Sequence, residues 1–115
     1  MESGAPKKPV VVSDRFWESY NSVYEQGLDL FGYFQAETYA AKIKTVLYEL
    51  NWAYPYYPEC RHLVTKSRIY RNVILDSHLI IYRITDSRIE ILKVIIYDFT
   101  PLSQNIHYPS RLPAI

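Results

Sequence analysis

The chain has 115 residues, of which 49% are hydrophobic and 22% charged. That length supports one buried core and excludes two, and no apolar run approaches the ~20 residues that span a bilayer. A formal net charge of +1 lacks the basic excess of a dedicated nucleic-acid binder, and a single cysteine, Cys60, excludes an internal disulfide and a cysteine-built zinc site.

The near-zero balance hides an asymmetry. Residues 1–60 carry five Lys/Arg against eight Asp/Glu, a balance of −3, and residues 61–115 carry eight against four, a balance of +4. Twelve tyrosines suit core edges and protein–protein surfaces, since each joins an apolar ring to a polar tip.

The first nine residues have two prolines, two lysines and no periodicity. They read as a mobile tail, and the lack of an apolar stretch behind the lysines predicts no secretory signal and a cytoplasmic setting. Residues 10–100 read as one domain. Val10-Val11-Val12 is a β-branched run suited to an edge strand. Ser13 and Asp14 supply an N-cap and a first-turn acid. Phe16, Tyr20, Val23, Tyr24, Leu28 and Phe31 then recur at helical spacing. Gly27 lies inside this helix at a cost of about 1 kcal/mol relative to Ala, and Gly32 is expected to end it. A second helix carries Ala36, Ala40, Ile43, Leu47 and Leu50 on one stripe. The short link around Gly32-Tyr33-Phe34 makes the helices antiparallel neighbours. Tyr54-Pro55-Tyr56-Tyr57-Pro58 ends the helical region.

Beyond residue 66 the period changes. Residues 68–75, 78–84 and 88–97 are β-branched and aromatic, separated by the turn segments Asp76-Ser77 and Thr85-Asp86-Ser87. Links this short demand antiparallel hairpins. The expected fold is α+β, a helical hairpin packed on a small twisted antiparallel sheet in the order β-α-α-β-β-β. Pro101, Pro109 and Pro113 break the end, so residues 101–115 read as an irregular tail.

The strands are apolar on both sides, where a half-exposed sheet would alternate with polar residues. Ile89, Ile91, Ile95 and Tyr97 fall on one side of the last strand, and Leu92, Val94 and Ile96 on the other. His78, Ile80, Tyr82 and Ile84 oppose Leu79 and Ile81. The helices cover one face. The other is expected to take a partner, or to be covered by residues 101–115 through Leu102, Ile106 and Tyr108.

Three motifs carry a family resemblance. Phe31-Gly32-Tyr33-Phe34-Gln35-Ala36-Glu37-Thr38-Tyr39 resembles the helix-hairpin signature of the ParE branch of RelE/ParE toxins. Ser77-His78-Leu79-Ile80-Ile81-Tyr82-Arg83 resembles that branch's Ser-His and Tyr-Arg strand, and Ile89-Glu90-Ile91-Leu92-Lys93-Val94 is similar to the strand after it. Arg68 fits the basic residue that opens the earlier strand. The likeness runs from about residue 10 to 97.

The resemblance implies a plasmid- or chromosome-borne bacterial toxin of a type II toxin–antitoxin system, with the RelE/ParE fold. It implies a cognate antitoxin that wraps the sheet and groove in a hetero-oligomer. ParE toxins act on DNA gyrase, and related RelE toxins cut messenger RNA on the ribosome. One departure stands out. The family commonly has a polar, basic segment after the last strand, where this chain has Asp98 or Phe99. A decayed, non-toxic relative therefore stays among the alternatives.

The chemistry favours binding over catalysis. RNA cleavage needs cations on the scissile phosphate and groups that move protons, and Arg68, Arg83, Lys93 and Tyr97 are its candidates here. Holding RNA also needs a strong positive field, which the charge balance does not supply. The expected contacts with target and antitoxin are Arg68, Arg71, Tyr82, Arg83 and Lys93. Pairing of Arg83 or Lys93 with Asp86 or Glu90 is the simpler role for those cations. His78, beside a turn, reads as structural. His62 and His107 lack neighbours at ligand spacing, so no metal and no cofactor are expected. Cys60 beside Arg61 and His62 lacks a base and an oxyanion site, and reads as a bystander.

Overall fold

The structure is a computed structural model and describes residues 5–61 and 63–96. β1 (Val10–Val12) leads into α1 (Asp14–Phe31) and α2 (Tyr33–Ala53). A 3-10 turn at Tyr54–Tyr56 follows, then β2 (Tyr70–Leu75), β3 (His78–Ile84) and β4 (Ile89–Ile96). The order is the one expected. Residues 1–4, Tyr97, Asp98, Phe99 and the tail 101–115 lie outside the described residues, as do His62 and His107.

α1 starts where its cap predicts. Ser13 Oγ accepts from the Phe16 N–H at 3.0 Å and donates to Leu92 O at 2.9 Å, so one hydroxyl both caps the helix and ties it to β4. Ser19 makes a second tie: its Oγ donates to Phe16 O and accepts from the Val94 N–H at 3.1 Å. Gly32 closes α1 with φ 91° and ψ 171°, a combination open only to glycine. Gly32 alone links the helices, where the sequence suggested three residues, because α2 begins at Tyr33. Phe31 also departs from the expected stripe: it is exposed, and Tyr20 is the last buried residue of α1. The α2 stripe is buried as expected.

The sheet order is β1-β4-β3-β2. β2, β3 and β4 form the antiparallel meander, and β1 joins β4 in parallel, so the sheet is mixed. A parallel neighbour is open to β1 because the two helices form the crossover. Residues 6–9, expected as part of a mobile tail, are tied down. Tyr54 Oη donates to Pro6 O at 2.6 Å, the Lys8 N–H to Asn51 O at 2.9 Å, and the Ile89 N–H to Pro9 O at 2.9 Å.

A β-bulge changes the expected faces of β4. Ile81 pairs with Lys93 and Tyr82 with Ile91, which leaves Leu92 as the extra residue. A one-residue slip exchanges the faces of everything after it. Ile89, Ile91 and Val94 therefore share the helix-side core with Phe16, Ile43, Leu50, Ile80 and Tyr82. Leu92 and Ile95 lie on the far side with Leu79, Ile81 and Cys60. Without the bulge Lys93 would point into the main core.

The far face is not bare. Leu79, Ile81 and Leu92 are buried, and Cys60 and Leu63 pack with them. The segment after α2 supplies this cover. The Cys60 N–H bonds Tyr70 O at 2.9 Å and the Asn72 N–H bonds Pro58 O at 3.1 Å, so residues 58–60 run along the outer edge of β2.

Candidate functional site

The two-residue turn after β2 sets the register, which lays three cross-strand rows on the face away from the helices. Tyr70, Arg83 and Glu90 form the first row. Asn72, Ile81 and Lys93 form the second, and Ile74, Leu79 and Ile95 the third. Charge is concentrated in the first two rows and apolar surface in the third, where Ile74 is exposed.

Arg83 is held in place. Its Nε donates to Glu90 Oε1 at 2.7 Å, and its Nη2 bonds the same oxygen. The guanidinium carbon lies 5.9 Å from the centroid of the Tyr70 ring, within cation–π range. Arg88 Nε reaches the other Glu90 oxygen at 2.8 Å. The Arg83 hydrogen bond holds Glu90 below the ordinary carboxylate value; burial opposes this and Arg88 adds to it. One carboxylate thus orders two arginines, and the cluster keeps one net positive charge.

Lys93 lies in the next row, 5% exposed and with no carboxylate at ion-pair distance among the described residues. Burial lowers its pKa, and the nearby Arg15 lowers it further. A buried ammonium is costly where no counter-charge meets it.

The other expected contacts lie elsewhere. Arg68 precedes β2 with a left-handed φ of 57°, exposed, with Nε 3.5 Å from Glu59 Oε1. Arg71 is a brace: Nε donates to Arg68 O at 3.0 Å, and Nη1 to Pro55 O at 3.2 Å and Tyr57 O at 2.8 Å. Both line a cleft of about 320 Å³ with Tyr57, Pro58 and Glu59. Tyr82 belongs to the helix-side core and not to a surface groove. It is fully buried, its Oη donates to Tyr54 O at 2.6 Å, and burial pushes its hydroxyl pKa up. Arg83 and Lys93 therefore share the far face, Arg68 precedes β2 at the sheet's edge, and Arg71, opposite Tyr82, lies with it on the helix side. Tyr97 is outside the described residues.

Tyr70 is the partner that the motif reading missed. A two-residue turn at Asp76-Ser77 fixes Leu75 opposite His78, and counting outward sets Tyr70 opposite Arg83. At the other end of β3, Tyr39 Oη is 2.7 Å from both Leu75 O and His78 Nδ1. A carbonyl only accepts, so the hydroxyl proton goes to Leu75 O and the His78 Nδ1–H donates to the hydroxyl. Burial lowers the His78 pKa, against an opposing pull from Asp76, and with Nδ1 carrying the proton the neutral form has its lone pair on Nε2. Among the described residues no group of three or more His, Cys, Asp or Glu is placed to hold a metal ion, and no helix is long and apolar enough to cross a membrane.

No protein-family model matches the chain, and no curated protein matches it in sequence. Among solved structures it is similar to a chain of the chromosomal ParDE TA system from P. aeruginosa. The TM-score is 0.68 at 14% identity, over 80% of this chain and 98% of that one. The likeness is one of fold. The RelE/ParE-like architecture implied by the three motifs is the architecture found: a helical hairpin on a small, mainly antiparallel sheet.

Proposed function

We propose that this chain is the toxin of a type II toxin–antitoxin pair, of the ParE kind. It acts in the cytoplasm by binding DNA gyrase and blocking it, without chemistry of its own. A small cognate antitoxin neutralises it by covering the sheet face that carries Arg83 and Lys93. The observation that carries this reading is the fold likeness to a ParDE chain at a TM-score of 0.68.

The electrostatics of the face favour binding over RNA cleavage. Arg83 and Arg88 share Glu90, and Arg71 is engaged by backbone carbonyls. Lys93 is left as the cation best placed to meet an acidic group on a partner. A ribonuclease would have to hold a polyanion with this set at a net charge of +1.

Induced expression in a bacterial host, alone and together with any small reading frame that adjoins its gene, tests the proposal. The expected result is growth arrest, relaxed plasmid DNA and intact transcripts, relieved by co-expression of the neighbour. Arg83→Ala is expected to weaken the arrest at least about tenfold in the inducer needed, the equivalent of 1.4 kcal/mol of lost binding. Cleaved transcripts with normal supercoiling would replace the gyrase reading with a RelE-like endoribonuclease. Absence of any arrest would mark a relative that has lost toxicity.

A further inference from the structure

We propose that the tip of the helical hairpin, away from the sheet face that carries Arg83 and Lys93, is a docking surface for a basic polypeptide segment with apolar anchors. Four large side chains around Gly32 stand in solvent: Leu30, Phe31, Tyr33 and Phe34 are 64%, 65%, 68% and 82% exposed. They fill four of the five positions 30–34, with Gly32 between the pairs, and clustered exposure of this kind marks an interaction site. Scattered single apolar residues would not.

Beside them, between the tip and the β2–β3 turn, lies a cleft of about 360 Å³ lined by Val23, Gly27, Phe31, Ala36, Tyr39 and His78 among others. Its walls are mostly apolar and fit an aliphatic or aromatic side chain. Burial of His78 disfavours a positive charge on its ring at this wall.

The charge of the region selects the partner. Residues 24–40, the two or so turns on each side of Gly32, contain Glu25, Asp29 and Glu37 and no Lys or Arg. The C-terminal pole of α1 and the N-terminal pole of α2 meet at Gly32 with opposite sign and offset one another, so the carboxylates set the local field. Tyr24 Oη donates to Glu37, and this bond pushes the Tyr24 pKa up to about 12, as an ionised acceptor does. Lys42 is the lysine of the cleft, and Asp76 holds it at 3.0 Å. Two copies meeting tip to tip would bring like charges together. A segment carrying Lys or Arg around two or more apolar anchors would bury the rings and meet the acidic rim.

The test uses the full chain and two fluorescein-labelled 14-residue peptides with leucine at the same helical spacing. One has lysine at the remaining positions and the other glutamate. Fluorescence anisotropy is expected to show the lysine peptide binding at least tenfold more tightly. The double substitution Leu30→Ser/Phe34→Ser is expected to weaken that binding at least tenfold, while Tyr48→Ser, at an equally exposed ring elsewhere on α2, leaves it unchanged. Glu25→Lys/Asp29→Lys gives the same loss through charge alone and carries the test if the apolar variant does not fold. Equal affinity for the two peptides, or binding that survives both double substitutions, would overturn the proposal. So would a dimer of the chain alone, seen by sedimentation, that Leu30→Ser/Phe34→Ser dissolves.

Discussion

The hydroxyl of Tyr82 is buried, and its bond to Tyr54 O makes that burial tolerable. Replacing it with Phe leaves the Tyr54 carbonyl without that donor. Tyr82→Phe is expected to cost about 1–3 kcal/mol, read as a lower urea midpoint at unchanged slope, while Tyr48→Phe at an exposed ring stays within about 0.5 kcal/mol. His78 gives a pH prediction. Burial sets its folded pKa below the unfolded value near 6.5, so the folded state binds fewer protons. Stability then falls as pH drops below about 6.5 and levels off under the folded pKa. Between pH 7.5 and 5 the chain should lose more stability than His78→Gln, which keeps a donor for Tyr39; equal losses would contradict this. The pairing of Arg83 with Glu90 was legible from their charges and strand positions. The burial of Tyr82 was not. Alternation separates Tyr82 from Arg83, but it does not say which face the helices cover.

At the scale of elements, two glycines in one hairpin have opposite roles. A Cβ at Gly27 would sit 3.6 Å from Ala36 Cβ, an ordinary contact, in a helix that glycine weakens. Gly27→Ala is therefore expected to stabilise the fold by about 0.5–1 kcal/mol. Gly32 has open space around it but a φ of 91°, so Gly32→Ala is expected to cost about 1–3 kcal/mol through backbone strain. Thermal melts of the two variants should move in opposite directions. The helices, the meander and both turns were legible because caps, periods and turn residues are local signals. The bulge at Leu92 was not, because it answers a tertiary demand: Lys93 must leave the helix-side core and Val94 must enter it. The cover that Cys60 and Leu63 give the far face was equally hidden, since residues 57–69 carry no period to announce which strand they follow.

For the whole molecule, β1 forms one edge of the sheet through its parallel pairing with β4, and residues 58–60 run along the other edge, beside β2. Among the described residues the far face carries Arg83 and Arg88, both ordered by Glu90, and Lys93, which has no carboxylate at ion-pair distance. That arrangement suits recognition of an acidic protein surface more than turnover of a polyanion. Among the described residues it offers a guanidinium positioned by Glu90 and a largely buried ammonium. The most direct measurement is DNA supercoiling by purified gyrase as this chain is titrated in, with a transcript included in the same reaction. The account predicts that supercoiling is lost as the chain approaches equimolar amounts and that the transcript stays whole. Full supercoiling in the presence of excess chain would contradict it.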